Sequence, residues 1–456
     1  MSKLGDFVKV QGGYAFKSSE LSDDKIGVPV IKIGNITGGS FVDLSNYQSV
    51  SFQLFEKTKS FATKDNDILI AMTGANVGKT SRVPVNSDTY LINQRVGRFL
   101  LKDDCPYTSD FIYYVVSSKQ AYQYFSRVAD GAAQPNISGK TIENFEFPNL
   151  DSRYANKIGD ILKSLDDKIQ LNSQINQTLE QIAQTIFKSW FIDFDPVHAK
   201  ANALASGQTL EQATQAAMAV ISGKNTQELH RLQTANPKQY QQLWEIAEAF
   251  PSGVDEEGVP WGWEEKPLPE LIDFLEGPGI RNWQYTEEED GIKFINIRCI
   301  KNGDLSLETA NKITREEAFG KYAHFQLKED DIVISTSGTL GRFALVRNEH
   351  LPLCLNTSVI RFRPIENKST LAFLLGLASN QLQYELEARA SGSVQRNFGP
   401  THLKQISVLL PDFYLLSLHN KYISTLFELR KSNLRENDLL MKTRDVLLPK
   451  LLSGEV

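Results

Sequence analysis

The stretch that decides the fold is Asp65-Asn66-Asp67-Ile68-Leu69-Ile70, because it returns 264 residues later as Glu329-Asp330-Asp331-Ile332-Val333-Ile334. An acidic turn followed by a short apolar run is typical of a buried β-strand. Three other segments return in the same order: residues 30–36 as 294–300, Asn93 as Asn356, and the Gly-x-x-Gln-x-Asn loop 131–136 as 392–397. The offset falls only from 264 to 261 along the repeat. Such a long period indicates two duplicated domains rather than a solenoid.

The composition is that of an ordinary globular protein. A length of 456 residues suggests roughly three domains, and 41% hydrophobic with 23% charged residues allows packed cores without disulfides. The net charge of −6 gives no overall attraction to nucleic acid, so DNA binding would depend on local patches or on basic partners. Two diverged copies suit one docking geometry applied to two similar but unequal targets, although they could also be retained only as bulk.

Targeting and redox features favour the cytoplasm. The sequence contains no charged-then-apolar leader and no long apolar run, so we expect neither export nor insertion into a membrane. Its three cysteines, Cys105, Cys299 and Cys354, lie far apart, which fits a reducing compartment. The six histidines show no metal-ligand spacing, so we expect no metal site.

The periodicity of apolar residues divides the chain into five segments. Short β-rich runs at 28–36, 67–72 and 90–101 precede a stretch, 109–127, that reads as one helix. From residue 199 onwards, a capping box at Thr209 and an Asn236-Pro237 cap indicate several short helices. We therefore expect a first mixed α/β domain at 1–150, a central long helix at 151–194, a helical insert and junction at 195–263, a second mixed α/β domain at 264–412 and a C-terminal long helix at 413–456.

Both long helices carry a coiled-coil seam. Alternating steps of four and three residues connect Ile158 to Trp190, and the offset of 261 places the same steps between His419 and Leu451. Each seam has two asparagines at its centre, and matched asparagines penalise every register in which one of them would face leucine. A pseudo-twofold relation between the copies requires antiparallel helices, in which facing residue numbers have a constant sum. With a sum of 609, the facing pairs are Asn172 with Asn437 and Asn176 with Asn433.

Two arginines complicate the second seam. The same register places Arg444 near Leu165 and Arg430 near Leu179, where we expect the arginine stems to follow the seam while their heads reach solvent. An alternative is that these arginines weaken the seam and that the asparagines lie on solvated faces.

A nucleotide-binding loop is the first catalytic possibility to consider. Residues 73–80 follow a predicted strand and end in Gly78-Lys79-Thr80, but only three residues separate Gly74 from Gly78, whereas a P-loop requires four. The second copy keeps both glycines and a cation, Arg342, without the Lys-Thr pair. Both copies therefore retain a glycine-bounded turn presenting one cation, which suits either a structural hairpin or a phosphate contact.

The repeated Gly-x-x-Gln-x-Asn loops are the most conspicuous polar constellation. Gln and Asn amides can hydrogen-bond adenine, and Arg can hydrogen-bond guanine, in the major groove. Loop architecture alone could also explain these residues. No acid, base or nucleophile repeats in both copies, so we expect no catalysis by this chain. The candidate DNA contacts are Lys79, Gln134, Asn136, Lys140, Arg342, Gln395, Arg396, Asn397 and Lys404.

The arrangement resembles the specificity subunit of Type I restriction-modification systems over essentially the whole chain. The matching features are the two Gly-x-x-Gln-x-Asn loops, the run at 186–197, the junction at 258–263 and the terminus at 447–454. Each feature is weak alone, and together they are highly specific. The sequence departs from the family pattern at Trp261, where a polar residue is common, and in an insert, 199–249, that is longer than in compact members.

The resemblance implies a non-catalytic subunit with two target recognition domains. Each domain would read one half of a split target in double-stranded DNA, while the long helices form an antiparallel coiled coil and bind two methyltransferase subunits. Restriction or translocase subunits could join the complex. S-adenosylmethionine and ATP would belong to the partners, and this chain would hold no cofactor. The alternatives are a nucleotide-dependent enzyme using Lys79 and a tandem adaptor that binds only proteins.

Overall fold

The computed structural model describes residues 2–85, 88–129, 135–389 and 398–454. These residues belong to two compact units: residues 1–173 with 436–456, and residues 174–435. Each unit contains one mixed α/β domain, and both long helices contribute residues to each unit. Among the described residues, no helix has the length and apolar character needed to cross a membrane.

The first domain is built on two small sheets. Its strands are β1 (Val8–Gly12), β2 (Val28–Ile31), β3 (Gln48–Val50), β4 (Ile68–Ala71), β5 (Thr80–Arg82), β6 (Leu91–Ile92) and β7 (Val96–Leu101). One sheet has the order β1-β7-β4-β5 and is antiparallel, and the other has the order β3-β2-β6 with β2 parallel to β6. The helices are α1 (Leu4–Phe7), α2 (Phe52–Thr58), α3 (Ser109–Ser117), α4 (Lys119–Arg127) and α5 (Gly139–Glu143).

The second domain follows the central helix α6 (Ser152–Phe191) and four insert helices. The insert comprises α7 (Asp195–Ala205), α8 (Leu210–Ser222), α9 (Thr226–Ala235) and α10 (Pro237–Ala249). The strands are β8 (Glu264–Pro267), β9 (Ile272–Glu276), β10 (Ile292–Phe294), β11 (Ile300–Lys301), β12 (Asp304–Leu305), β13 (Lys312–Ile313), β14 (Ile332–Ser335), β15 (Phe343–Leu345), β16 (Leu353–Cys354), β17 (Val359–Pro364) and β18 (Ser407–Leu410). The remaining helices are α11 (Arg315–Phe319), α12 (Leu371–Asn380), α13 (Leu382–Arg389), α14 (Pro400–Leu403) and α15 (Phe413–Ser453).

The two sheets of the first domain recur in the second domain with the same strand order. The order β9-β17-β14-β15 reproduces β1-β7-β4-β5, and β13-β10-β16 reproduces β3-β2-β6, including its one parallel pair. Ile68 lies opposite Arg82 on β4 and β5, and Ile332 lies opposite Leu345 on β14 and β15. The register of the strands therefore gives residue-by-residue equivalence between the copies. The predicted duplication of mixed α/β domains is confirmed.

The helical stretch 109–127 differs from the prediction. It consists of two helices rather than one, because Ser118 adopts an extended conformation and its hydroxyl accepts a hydrogen bond from the Ala121 amide as the N-cap of α4. The break turns α4 so that Ala121 and Phe125 are buried beside the α3 face. The second copy is also divided here, into α12 and α13, although Gln381 between them keeps a right-handed helical conformation. In the insert, the predicted caps at Thr209 and Asn236 begin α8 and α10.

The two long helices pair antiparallel within each unit. Asn172 donates to the Oδ1 of Asn437 at 2.9 Å in the first unit, and Asn433 donates to the Oδ1 of Asn176 at 2.9 Å in the second. These are the two pairs that share the sum of 609. All four side chains are buried, which excludes the alternative that they lie on solvated faces.

The expectation for the seam arginines is only partly met in the first unit. The Arg444 guanidinium donates through one nitrogen to the buried carboxylate of Asp166 at 2.8 Å and through Nε to the exposed Asp445 at 2.9 Å. In the second unit, Arg430 donates to the Asn302 carbonyl at 3.2 Å. Each arginine therefore has a defined acceptor supplied by its own unit.

Candidate nucleic-acid interface

The segment that resembles a P-loop forms a β-hairpin. After β4, residues Gly74–Asn76 make one 3-10 turn, and the chain returns as β5 with Thr80 opposite Ile70. A P-loop instead leads into a helix whose N-terminus binds phosphate. Thr80 is only 3% exposed, so its hydroxyl is not presented to a nucleotide. This geometry does not support the alternative of a nucleotide-dependent enzyme using Lys79.

The base of each hairpin is fixed by glycine. A Cβ on Gly78 would lie 2.9 Å from the Cβ of Phe125 on α4, and a Cβ on Gly341 would lie 2.8 Å from the Cα of Gln383 on α13. These glycines also adopt a left-handed conformation that other residues rarely accept. The φ angles of the four bounding glycines are 74° at Gly74, 83° at Gly78, 68° at Gly338 and 75° at Gly341. Both hairpins therefore hold their cation on the same backbone frame.

In the first copy, Lys79 is supported by neutral groups. Its ammonium donates to the Oδ1 of Asn76 at 3.0 Å, and Asn76 in turn donates to the Ile33 carbonyl at 3.0 Å. The Lys79 stem passes beside Gly38, where an added Cβ would be 3.6 Å from it. The side chain is half-buried. Because no carboxylate bonds directly to this ammonium among the described residues, its positive charge is left for an anion.

The end of the first Gly-x-x-Gln-x-Asn loop lies against this hairpin. Gly74 donates its amide to the Pro135 carbonyl at 2.9 Å, and Ile137 donates to the Met72 carbonyl at 2.9 Å. Asn136 forms a bridge with Thr73 and has an exposed side chain. The structure thus places Asn136 against the hairpin that carries Lys79, although the two residues are far apart in the sequence.

The second copy presents its cation differently. Arg342 is exposed, and its backbone amide donates to the Ser335 hydroxyl at 3.0 Å, which itself donates to the Thr339 carbonyl at 2.6 Å. The turn is one residue shorter than in the first copy and has no counterpart of Asn76. Phe398, just after the second loop, donates to the Thr336 carbonyl at 2.9 Å, as Ile137 does to Met72.

Two candidate lysines do not occupy equivalent places. Lys140 is exposed at the start of α5, whereas Lys404 is exposed immediately after the end of α14. The sequence spacing agrees with this difference, since Lys140 follows Asn136 by four residues whereas Lys404 follows Asn397 by seven. The other candidates, Gln134, Gln395, Arg396 and Asn397, lie outside the described residues.

Sequence reasoning missed Lys32, a cation next to the first hairpin. Lys32 precedes the turn whose Ile33 carbonyl anchors Asn76, and its ammonium bonds to Gln48. Burial lowers the pKa of Lys32, and the nearby Asp23 partly opposes the shift. The equivalent residue in the second copy is Asn296, whose side chain accepts from the Arg298 amide at 2.9 Å. This Lys-to-Asn change is one of several differences between residues 30–36 and 294–300, so the sequence did not single it out.

Comparison with known proteins identifies the family. The model for the Type I restriction modification DNA specificity domain matches residues 1–181 and 260–429. The chain is 32% identical to the specificity subunit of the Type I restriction enzyme HindI from Haemophilus influenzae, over 94% of both proteins. It is 22% identical to the MjaIX specificity subunit from Methanocaldococcus jannaschii, over 100% of this chain and 93% of that protein.

A solved structure shares the fold. The S subunit of a Type I restriction-modification system from M. genitalium superposes with a TM-score of 0.50 at 16% identity, covering 98% of this chain and 94% of that one. The duplicated domains, each followed by a long helix, thus have a counterpart of the same architecture. The chain belongs to the family of Type I restriction-modification specificity subunits, the non-catalytic components that recognise DNA.

Proposed function

We propose that this chain reads a bipartite, asymmetric DNA target, with one half-site contacted by each recognition domain. The observation that carries the proposal is the repeated hairpin, which places Lys79 in one copy and Arg342 in the other on the same glycine frame. Two different cations at equivalent positions would let both domains approach DNA in the same orientation while making different contacts with it. The tandem adaptor alternative gives no reason to retain a cation on both hairpins.

Because the chain carries a net negative charge, the proposal also requires partner subunits that help to hold the DNA. With a net charge of −6, the chain offers too little positive charge to hold long duplex DNA alone. We infer that two methyltransferase subunits bind the long helices in the cytoplasm, share the phosphate contacts and supply S-adenosylmethionine. Restriction or translocase subunits, with ATP, would complete the complex.

The contacts to bases are proposed for the loops that follow the hairpins. Gln134 and Asn136 in the first copy, and Gln395, Arg396 and Asn397 in the second, have amide or guanidinium groups suited to base edges. Lys79, Lys140, Arg342 and Lys404 would contact phosphates, which position the domain without reading sequence. Arg396→Ala should weaken binding by about 1 to 3 kcal/mol if Arg396 pairs with guanine.

Mapping methylated adenines in cells that express the chain with its methyltransferase partner tests the bipartite target. We expect two short, different half-sites separated by an unspecified spacer, with centres roughly 10 base pairs apart if both domains face one side of the duplex. A single uninterrupted motif would contradict the proposal.

A domain exchange gives the matched experiment. Replacing residues 1–150 with the equivalent domain of a relative should change one half-site and preserve the other half-site and the spacer. The reciprocal exchange of residues 264–412 is the control, because it should change only the other half-site. If either exchange altered both half-sites, the domains would not read DNA independently.

A further inference from the structure

A buried cluster joins the first recognition domain to both long helices. Its centre is Asp166 on α6, whose side chain is 0% exposed. Its Oδ2 accepts from Arg82 at 2.8 Å and from the Tyr114 hydroxyl at 2.7 Å, while its Oδ1 accepts from Ser40 at 3.0 Å and from Arg444 at 2.8 Å. Three of these donors belong to the domain and one to α15, so a single carboxylate connects all three parts.

The protonation states of the cluster are fixed by its surroundings. Burial raises the pKa of the Tyr114 phenol, so this hydroxyl remains a donor to Asp166. The Asp166 carboxylate raises the pKa of Arg444 against the opposing effect of burial. Arg82 is 1% exposed, contacts Asp110 at 3.1 Å and lies 4.2 Å from the Tyr113 ring centre. All four donor groups therefore keep their hydrogens. Each hydrogen bond to Asp166 depends on the direction from which its donor approaches the carboxylate.

Among the described residues, the second unit has no such cluster at the equivalent place. Strand register makes Leu345 the counterpart of Arg82, and the offset of 261 makes Phe427 and Ala183 the counterparts of Asp166 and Arg444. These three counterparts line one apolar cavity in the second unit. Apolar contacts are non-directional, whereas charged hydrogen bonds in a buried site are directional. The contact between the first domain and the long helices therefore depends more strongly on orientation than the corresponding contact in the second unit.

We propose that Asp166 is a positioning residue that fixes the orientation of the first recognition domain on the two long helices, and thereby the spacer length that the protein accepts. The proposal rests on the bipartite target argued above. Both helices continue beyond the first unit, so a rotation of the domain about the cluster would displace its half-site along the DNA. One base pair corresponds to about 3.4 Å along the duplex, a displacement that directional hydrogen bonds would resist.

The test is the methylation of plasmids carrying both half-sites with the normal spacer or with one base pair added or removed. The wild-type complex should prefer the normal spacer by on the order of 100-fold, the penalty typical of a small misplacement. Asp166→Asn weakens the charged bonds to Arg82 and Arg444 and should lower this preference to about 10-fold or less. The half-sites themselves should be unchanged.

Asp67→Asn provides the matched control. Asp67 forms a largely buried ion pair with Arg98 at 3.1 Å inside the same domain, with no member on a long helix. Its replacement should lower methylation at all spacers in proportion. If Asp166→Asn behaved in the same way, with spacer preference retained, Asp166 would have only a stabilising role and the proposal would be overturned.

A second variant keeps the test informative if Asp166→Asn does not assemble. Arg82→Leu, Asp166→Phe and Arg444→Ala together install the residues of the second unit, which line one apolar cavity there. This triple variant should methylate both half-sites with relaxed spacing, and strict spacing would overturn the proposal. Failure of the bipartite target is distinguished from these outcomes, because the wild-type complex would then show no spacer preference.

Discussion

The two halves of the helix pair use equivalent positions for different chemistry. The first unit places Ile158 and Asp166 where the second unit places His419 and Phe427. Ile158 packs with an aliphatic and aromatic core, whereas His419 is enclosed by rings from α6. The backbone repeats, but each domain supplies its own neighbours. Duplication therefore kept the helix geometry and left the side chains that contact each domain free to diverge.

Among the variants that test this difference between the units, Asp166→Ala should have the largest effect. It removes the acceptor of four hydrogen bonds and leaves the buried Arg82 with Asp110 as its carboxylate partner. Loss of one partner from a buried charge cluster typically costs about 3 to 5 kcal/mol in the free energy of unfolding. Urea denaturation measures this cost.

The neighbouring Asp167→Ala serves as the control for that measurement. Asp167 pairs with Lys163 on the surface of the same helix, with a side chain that is 47% exposed. Its replacement should change the free energy of unfolding by less than about 0.5 kcal/mol. Equal losses of unfolding free energy in the two variants would show that the buried hydrogen bonds of Asp166 contribute no more to stability than the exposed ion pair of Asp167.

A smaller effect concerns pH and the second unit. Burial lowers the pKa of His419 to about 3, and neither ring nitrogen has a hydrogen-bond partner among the described residues. Since the ordinary value is 6.5, the unfolded state binds the proton first. The contribution to stability is complete above pH 6.5 and falls by about 1.4 kcal/mol for each pH unit below it, or about 2 kcal/mol at pH 5.

His419→Ile installs the residue of the equivalent position, Ile158, and should remove this loss between pH 7.5 and pH 5. The comparison is the difference in unfolding free energy between variant and wild type at each pH. His230→Gln is the control, because His230 is exposed and should not alter the pH profile. If the unfolding free energy of His419→Ile fell between pH 7.5 and pH 5 as steeply as that of the wild type, His419 would not stay neutral in the folded protein.

The smallest expected difference distinguishes the two asparagine pairs. Asn172 also donates to the Glu436 carboxylate at 2.8 Å, so Asn437→Ala leaves it one acceptor. Asn433 provides the side-chain hydrogen bond to Asn176 in the described structure. We therefore expect Asn433→Ala to cost about 2 kcal/mol and Asn437→Ala about 1 kcal/mol in thermal or chemical unfolding. The reverse order would contradict the role of Glu436.

Some of these features could be predicted from the sequence because they repeat or follow a period. The acidic turn before Ile68 and its copy before Ile332 located the central strands, and the asparagine spacing gave the helix pairs seen in each unit. The break at Ser118 was missed, because neither Gly nor Pro marks it and a serine cap resembles ordinary helix sequence.

The Asp166 cluster could not be predicted for a different reason. Asp166 follows a seam leucine in an otherwise charged stretch, where a solvated face is the usual interpretation. Its burial depends on Arg82 and Arg444, which lie 84 and 278 residues away. Likewise, the cation of the first hairpin was found from its motif, but its partner Asn76 has no repeat in the second copy. Long-range and unrepeated contacts leave no local pattern.

The glycines at the hairpin bases limit which side chains the two hairpins can accept. Any side chain at Gly78 or Gly341 would both strain the backbone and overlap a helix, so the base of the hairpin cannot drift. The following residue is free of that constraint and is already Lys79 in one copy and Arg342 in the other. Exchange of this residue can therefore change the cation that each hairpin presents without moving the base of the hairpin.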